Sequence, residues 1–356
     1  NDLVVATHGR SFWIMDDVTQ FRQVTADLAD EPIHLLKPRT TYRMPAPGPG
    51  RRAAAGKVYQ LSLGAPVTFT ESKDAQGQTI RKFLDAGENP PDGVVVTYYL
   101  KEKPEEATLT FLDSNGQAIK TFSSVAAEGD APATELRVPA EPGMNRFVWN
   151  MRYSDARKVP GDKTTEDLGV GPVAAPGAYQ VTLTADGRSQ SQSFEIVKDP
   201  RLAATQDDLQ AQFDMLIKVR DKLSETHDAI NELRSIKRQV DEWVHRATGH
   251  SSEQVIAEAA APLNEKLSAI EGELVQVAYT GPGDRLNLQT KLNRRLAELT
   301  AVVASADFAP TEQTFDVFDD FSGRIDPQIG LLKELEDEDV SRFANLVHEL
   351  DLPPII

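Results

Sequence analysis

The side chains able to do chemistry in this chain are few, and their spacing argues against most reactions. Six histidines are present: His8, His34, His227, His245, His250 and His348. His245 and His250 are close in sequence, but no carboxylate-rich ligand spacing frames them, so a zinc site is not expected there. His227 continues an apolar helical face between Leu223 and Ile230 and reads as a packing residue. The acidic groupings are Asp16-Asp17, Asp319-Asp320 and the run Glu334 to Asp339, ELEDED. Glycoside hydrolysis needs two carboxylates facing one another across a sugar. Neighbouring carboxylates on a strand point to opposite faces, so Asp16-Asp17 makes a poor pair. The ELEDED run lacks the Asp-x-Asn-x-Asp-Gly loop of a calcium site and reads as a charged helix junction. Asp113-Ser114-Asn115-Gly116 is better explained as a hairpin turn than as a calcium fragment.

Phosphate-binding, dinucleotide-binding, zinc-protease and serine-hydrolase motifs do not occur in the sequence. Without cysteine there are no disulfides, thiolate ligands or thiol nucleophiles. The sequence therefore nominates no catalytic, cofactor-binding or metal-binding residue and no cofactor. Enzymatic activity is left open by a chain that carries no catalytic motif.

Charge narrows the partners. The 356 residues carry a formal net charge of −17, and from Arg201 onward 16 Lys and Arg stand against 29 Asp and Glu. Acidity concentrated in the C-terminal part opposes phosphate-backbone binding, so nucleic acid is not an expected partner. No apolar stretch approaches the ~20 residues needed to span a bilayer. The chain opens on Asn1 inside a strand-like pattern, without a visible signal peptide, and is expected to be a fragment or a processed product.

The elements that would position these side chains follow a β-then-α order. Residues 1–30 begin with NDLVVATHGRSFWIMDD, two apolar runs (Leu3 to Ala6, Phe12 to Met15) about a turn at Gly9. Both runs are apolar on both faces, as in strands buried between neighbours. Residues 31–57 recur in proline from Pro32 to Pro49 and read as an extended linker, not a packed element. Residues 58–200 read as all-β, with candidate strands at 58–63, 94–100, 107–112, 118–122, 134–138, 145–152, 178–185 and 191–197. Asn115-Gly116 and Asp186-Gly187 are the hairpin turns. Phe147, Trp149 and Tyr179 are the expected core aromatics, and residues 161–175 a long loop. Such short, turn-punctuated strands fit an immunoglobulin-like sandwich.

Residues 201–356 switch to helical period. Thr205 caps the first helix, whose face runs through Leu209, Phe213, Leu216, Leu223, Ile230, Leu233 and Val240. Ile256 to Val277 mark a second helix and Leu288 to Val303 a third. A fourth region spans residues 311–350, with a kink or division expected at Pro327. Together these make an antiparallel bundle expected to fold independently of residues 1–200.

The residues Asp2-Leu3-Val4-Val5, Thr7-His8-Gly9-Arg10-Ser11, Phe12-Trp13-Ile14 and Asp16-Asp17 carry a family resemblance. They resemble the closing blade of large bacterial sortilin-like, BNR-repeat β-propellers, a group often labelled glycosyl hydrolase or sialidase-like. Downstream, LLKPR, GMNRFVWNMRY, APGAYQVTL and KDPR stand in a similar order. The strands around residues 143–153 and 175–183, with LDSNGQ at 112–117, also resemble the immunoglobulin-type domain of flagellar hook-cap proteins. The family's Asp-box, arginine triad and tyrosine nucleophile are not found in this sequence.

The resemblance implies a non-catalytic binding or assembly region of a secreted or periplasmic propeller protein. Residues 1–17 would dock on an upstream propeller or another chain, and a protein or polysaccharide would be the ligand. Two alternatives stand beside it. One is an accessory region of a glycoside hydrolase whose active site lies upstream; the other is an extracytoplasmic subunit of a larger membrane-associated complex.

Overall fold

The computed structural model describes residues 1–9, 12–44, 69–73, 79–83, 91–125 and 136–350. The chain is a mixed β and α protein that divides into two compact units. One comprises Asn1–Tyr153 with Val173–Ala203; the other comprises Ser154–Pro172 with Ala204–Ile356.

The β unit opens with a hairpin of β1 (Leu3–Ala6) and β2 (Phe12–Met15). It continues through β3 (Ile33–Leu35), β4 (Thr41–Arg43), β5 (Phe69–Lys73), β6 (Thr79–Phe83), β7 (Val94–Leu100), β8 (Ala107–Leu112) and β9 (Ala118–Ser123). β10 (Gly143–Trp149), β11 (Gly177–Ala185) and β12 (Arg188–Lys198) complete it. Among the described residues β5 and β6 pair with one another alone, a two-stranded sheet that alternation did not reveal. The remaining strands form a three-stranded sheet, β10-β7-β3, and a five-stranded sheet, β4-β12-β11-β8-β9. Both contribute side chains to one apolar core, because each strand turns every second residue the same way. Phe111 stacks on Trp149 with ring centroids 4.4 Å apart, and Phe147, Phe122, Tyr179 and Phe194 surround them. Phe147, Trp149 and Tyr179 are all buried, where their period placed them.

The turns follow their sequence chemistry. Asp186 and Gly187 both take positive φ (48° and 72°), as a two-residue hairpin requires, and join β11 to β12. Asp113 Oδ1 accepts from the backbone N–H groups of Asn115 and Gln117 while Gly116 takes φ 78° between β8 and β9.

Two expectations for this unit are corrected. Residues 31–57 are not a linker throughout: β3 pairs with β7, and β4 pairs in parallel with β12. Ile33, Leu35 and Leu36 are buried, so apolar alternation outweighed the flanking prolines. Pro32 and Pro38 fall just outside the strands, where no ladder bond is lost. The candidate strand at 134–138 is not one over its described part, Leu136–Val138; Val138 is buried but extends as a loop, its N–H on the Ser123 carbonyl. The candidate strand at 58–63 lies outside the described residues.

The helical unit contains α1 (Gln206–Ala247), α2 (Glu253–Leu274), α3 (Leu292–Val303), α4 (Glu312–Leu335) and α5 (Ser341–Glu349). Thr205 caps α1 reciprocally: its side chain accepts from Asp208 N, and Asp208 accepts from Thr205 N at 2.7 Å. Pro327, where a kink or division is expected, does not divide the fourth region. α4 runs through it, with Ile325 and Ile329 buried on either side of the missing hydrogen bond. The break falls instead at Glu336–Val340, a π-helical turn carrying four consecutive carboxylates. α2 also ends before Val277, which is exposed.

The helices are not alone in their unit. The chain leaves β10 and runs as a strap, Ser154–Pro172, whose Ala156 and Val159 join the helical core beside Leu216, Leu223 and Ile230. The sequence had placed this segment with the β domain, and the boundary at Arg201 therefore divides a unit that the fold keeps whole.

Candidate interaction surface

The hairpin carries the largest concentration of exposed apolar side chains. β1 and β2 pair in the register Leu3↔Met15, Val4↔Ile14, Val5↔Trp13 and Ala6↔Phe12, with Gly9 at φ 75° in the turn. Phe12 is 73% exposed, Trp13 65% and Ile14 64%, and Leu3, Val4, Val5 and Met15 are exposed as well. Among the described residues neither face of the two-stranded ribbon is covered, and a lone hairpin of this kind is marginal in water. The hairpin is expected either to pair with another polypeptide or to pack as an added strand on a sheet, with Trp13 substantially buried. Among the described residues it joins no other sheet and Trp13 is exposed, so within this chain the second outcome is not met. Among the described residues the edges of the two larger sheets are β3, β4, β9 and β10, and the hairpin pairs with none of them.

The base of the hairpin is clasped. Val18 N donates to Asn1 O at 2.8 Å, and Asp17 N donates to Asp2 Oδ1 at 2.9 Å. Arg39 reaches both carboxylates, 3.7 Å from Asp2 and 3.8 Å from Asp17. The Asp17 N–H, helped by Arg39, holds the Asp2 carboxyl below the usual carboxylate range. Asp17 is buried at φ 56°, left-handed backbone that an aspartate tolerates better than most residues. The acidic pair thus ends in a structural clasp, and Arg39 is the partner that sequence order did not expose.

The other chemistry-bearing residues are dispersed. His34 Nδ1 lies 2.7 Å from Glu31 Oε2, and His250 Nδ1 lies 3.1 Å from Ser252 Oγ. His245 is exposed in the last turn of α1, and His348 stands in α5. In the ELEDED run, Asp339 pairs with Lys266 and Arg342. Among the described residues no group of three His, Asp or Glu side chains is placed to hold a metal ion. No described helix is long and apolar enough to cross a membrane. A shallow groove on the helical unit is lined by four basic side chains, Arg234, Lys237, Arg238 and Arg246, together with Asp241, Glu242, His245 and Glu271. Arg234 and Lys237 both bind Glu271, at 2.7 and 2.9 Å, so much of its positive charge is internally neutralised.

A polar network in the strap also escaped the sequence reading. Asp162 accepts from the backbone and side chains of Thr164 and Thr165. Buried Asn293 of α3 donates to Thr164 Oγ1 at 3.0 Å, and buried Arg294 donates to the Thr164 carbonyl. The signal available was the Asp-x-Thr-Thr spelling, which favours a side-chain-to-backbone turn.

Comparisons with known proteins add little. No family model matches the chain, and no curated protein matches it. Among solved structures it is similar to a chain described as pT26-6p, at 10% identity and a TM-score of 0.15. That alignment covers 72% of this chain and 46% of the other. A likeness this weak carries no argument about fold or function.

Proposed function

We propose that the chain is a non-catalytic binding and assembly region of a secreted or periplasmic β-propeller protein of the sortilin-like class. In this reading the hairpin belongs to a terminal propeller blade whose neighbouring strands come from another polypeptide segment. The observation that carries it is the hairpin's exposure: seven large apolar side chains on eight strand residues, clasped at the base and, among the described residues, uncovered on both faces. Such a patch with open edges fits burial against more sheet. The two-sheet unit fits an immunoglobulin-type sandwich, with Trp149 central in the core and Tyr179 OH on the Ala175 carbonyl at 2.6 Å, four residues upstream. A Tyr hydroxyl bonded a few residues back is a recurring corner device of such folds.

The test is hydroxyl-radical footprinting of Trp13 in the protein isolated from its source, beside the same 356 residues alone. Trp13 is expected to react rapidly in the isolated chain and to be protected in the native protein, with cross-links from the hairpin to a neighbouring strand. Equal reactivity in both would end the propeller reading.

A further inference from the structure

His227 lies on α1 where the strap docks, and it is the one described histidine ring that is almost fully enclosed, at 3% exposure. Its Nδ1 is 2.5 Å from the carbonyl oxygen of Arg157 in the strap. A carbonyl only accepts, so Nδ1 carries the proton and donates it. Nε2 is then the bare nitrogen of a neutral ring, and it is buried with no hydrogen-bond partner. Two further bonds hold the same stretch: Arg157 N donates to Ser224 Oγ at 3.1 Å, and Asn231 Nδ2 donates to the Lys158 carbonyl at 3.0 Å. Ala156 and Val159 enter the core on either side.

From this arrangement we infer that His227 makes the strap a pH-gated latch, docked on α1 at neutral pH and released in mild acid. A second proton can go only to Nε2, which would bury a positive N–H without an acceptor. Released from α1, the ring and the strap's backbone both reach water.

The charged surroundings oppose this only in part. Burial holds His227 below its ordinary value of 6.5, outweighing the Arg157 carbonyl, Asp162 on the strap and Asp228 on α1, which all favour the imidazolium. Asp228 is engaged by the Arg157 guanidinium. On α3, Arg294 binds the Thr164 carbonyl and Glu298, and on α4, Asp326 pairs with Lys222 of α1. The released ring gains its proton near pH 6.5 and the docked ring only at lower pH. Docking is therefore at full strength above about pH 6.5 and weakens as pH falls. The docked-to-released ratio drops roughly tenfold per pH unit until the docked value is reached.

The test is amide hydrogen exchange of the full chain at pH 7.5 and 5.0, with protection corrected for intrinsic rates. The amide of Arg157, which donates to Ser224 of α1, is expected to lose protection severalfold at pH 5.0 in the unaltered protein. In His227→Gln, which removes the titrating ring, that protection is expected to persist. Unchanged protection in the unaltered protein overturns the latch. Equal loss in His227→Gln also overturns it, since the acid response then lies with Asp162 or another carboxylate. Should His227→Gln not fold, the His227 ring titration followed by NMR decides: a midpoint at or above 6.5 overturns the proposal, and one well below supports it.

Discussion

Trp149 shows how a single side chain in this protein earns its place. It is buried, stacks on Phe111, and satisfies its indole N–H on the Arg152 carbonyl at 3.1 Å. Trp149→Ala removes the ring from a packed aromatic cluster and is expected to cost about 3–5 kcal/mol in urea unfolding. A loss below about 1 kcal/mol would mean the site collapses or the ring is not buried. Asp199, at the end of β12, makes a pH-dependent contribution. Arg201 donates to it from Nε, Nη2 and the backbone N–H, and this holds its carboxyl at about 2. The unfolded carboxyl titrates near 3.8, so the stabilisation is complete above that value and is lost as pH falls toward 2. Acid unfolding between pH 5 and 2, followed by circular dichroism, is expected to be shallower in Asp199→Asn than in the unaltered protein. Identical acid limbs would show that the pair contributes nothing.

At the scale of the element, backbone geometry decides what sequence type alone leaves open. Gly93 precedes β7 at φ 143°, and a Cβ there would fall 2.2 Å from the Trp149 carbonyl oxygen. Strain and overlap together should make Gly93→Ala destabilising by about 2 kcal/mol or more, read from the same urea titration. An unchanged midpoint would show that β7 and β10 can separate locally at no cost. The hairpin is the opposite case, an element whose removal exposes little. Deleting residues 1–17 is expected to lower self-association in sedimentation while leaving the melting temperature of the remainder nearly unchanged. A large drop in melting temperature would show that Arg39 and the clasp support the β unit itself.

At the scale of the whole molecule, the strap changes what counts as a separable piece. A polypeptide of residues 201–350 lacks Ala156, Val159 and the Thr164 atoms that accept from buried Asn293 and Arg294, while Arg294 keeps Glu298. Losing a buried acceptor costs on the order of 1–3 kcal/mol. Its helical signal is expected to melt at lower temperature than that of the intact chain, contrary to independent folding from Arg201. Equal melting temperatures would return the strap to the status of an ornament.

What the sequence by itself determined was local. A β-branched and aromatic run marked β7, alternation about the hairpins marked β8, β11 and β12 within a few residues, Asp186-Gly187 and Asn115-Gly116 named their turns, and Thr205 with Asp208 announced the start of α1. Each depends on neighbours in the chain, so each was readable there. The strands of residues 31–43 were hidden because proline content spoke louder than a three-residue alternation whose partner strands lie far along the chain. Arg39 on Asp2 and Asp17, the strap seated on α1, and the uncovered faces of the hairpin were decided only by tertiary structure. They pair groups tens of residues apart, and nothing in local spacing encodes which distant surface will exclude water from a given side chain.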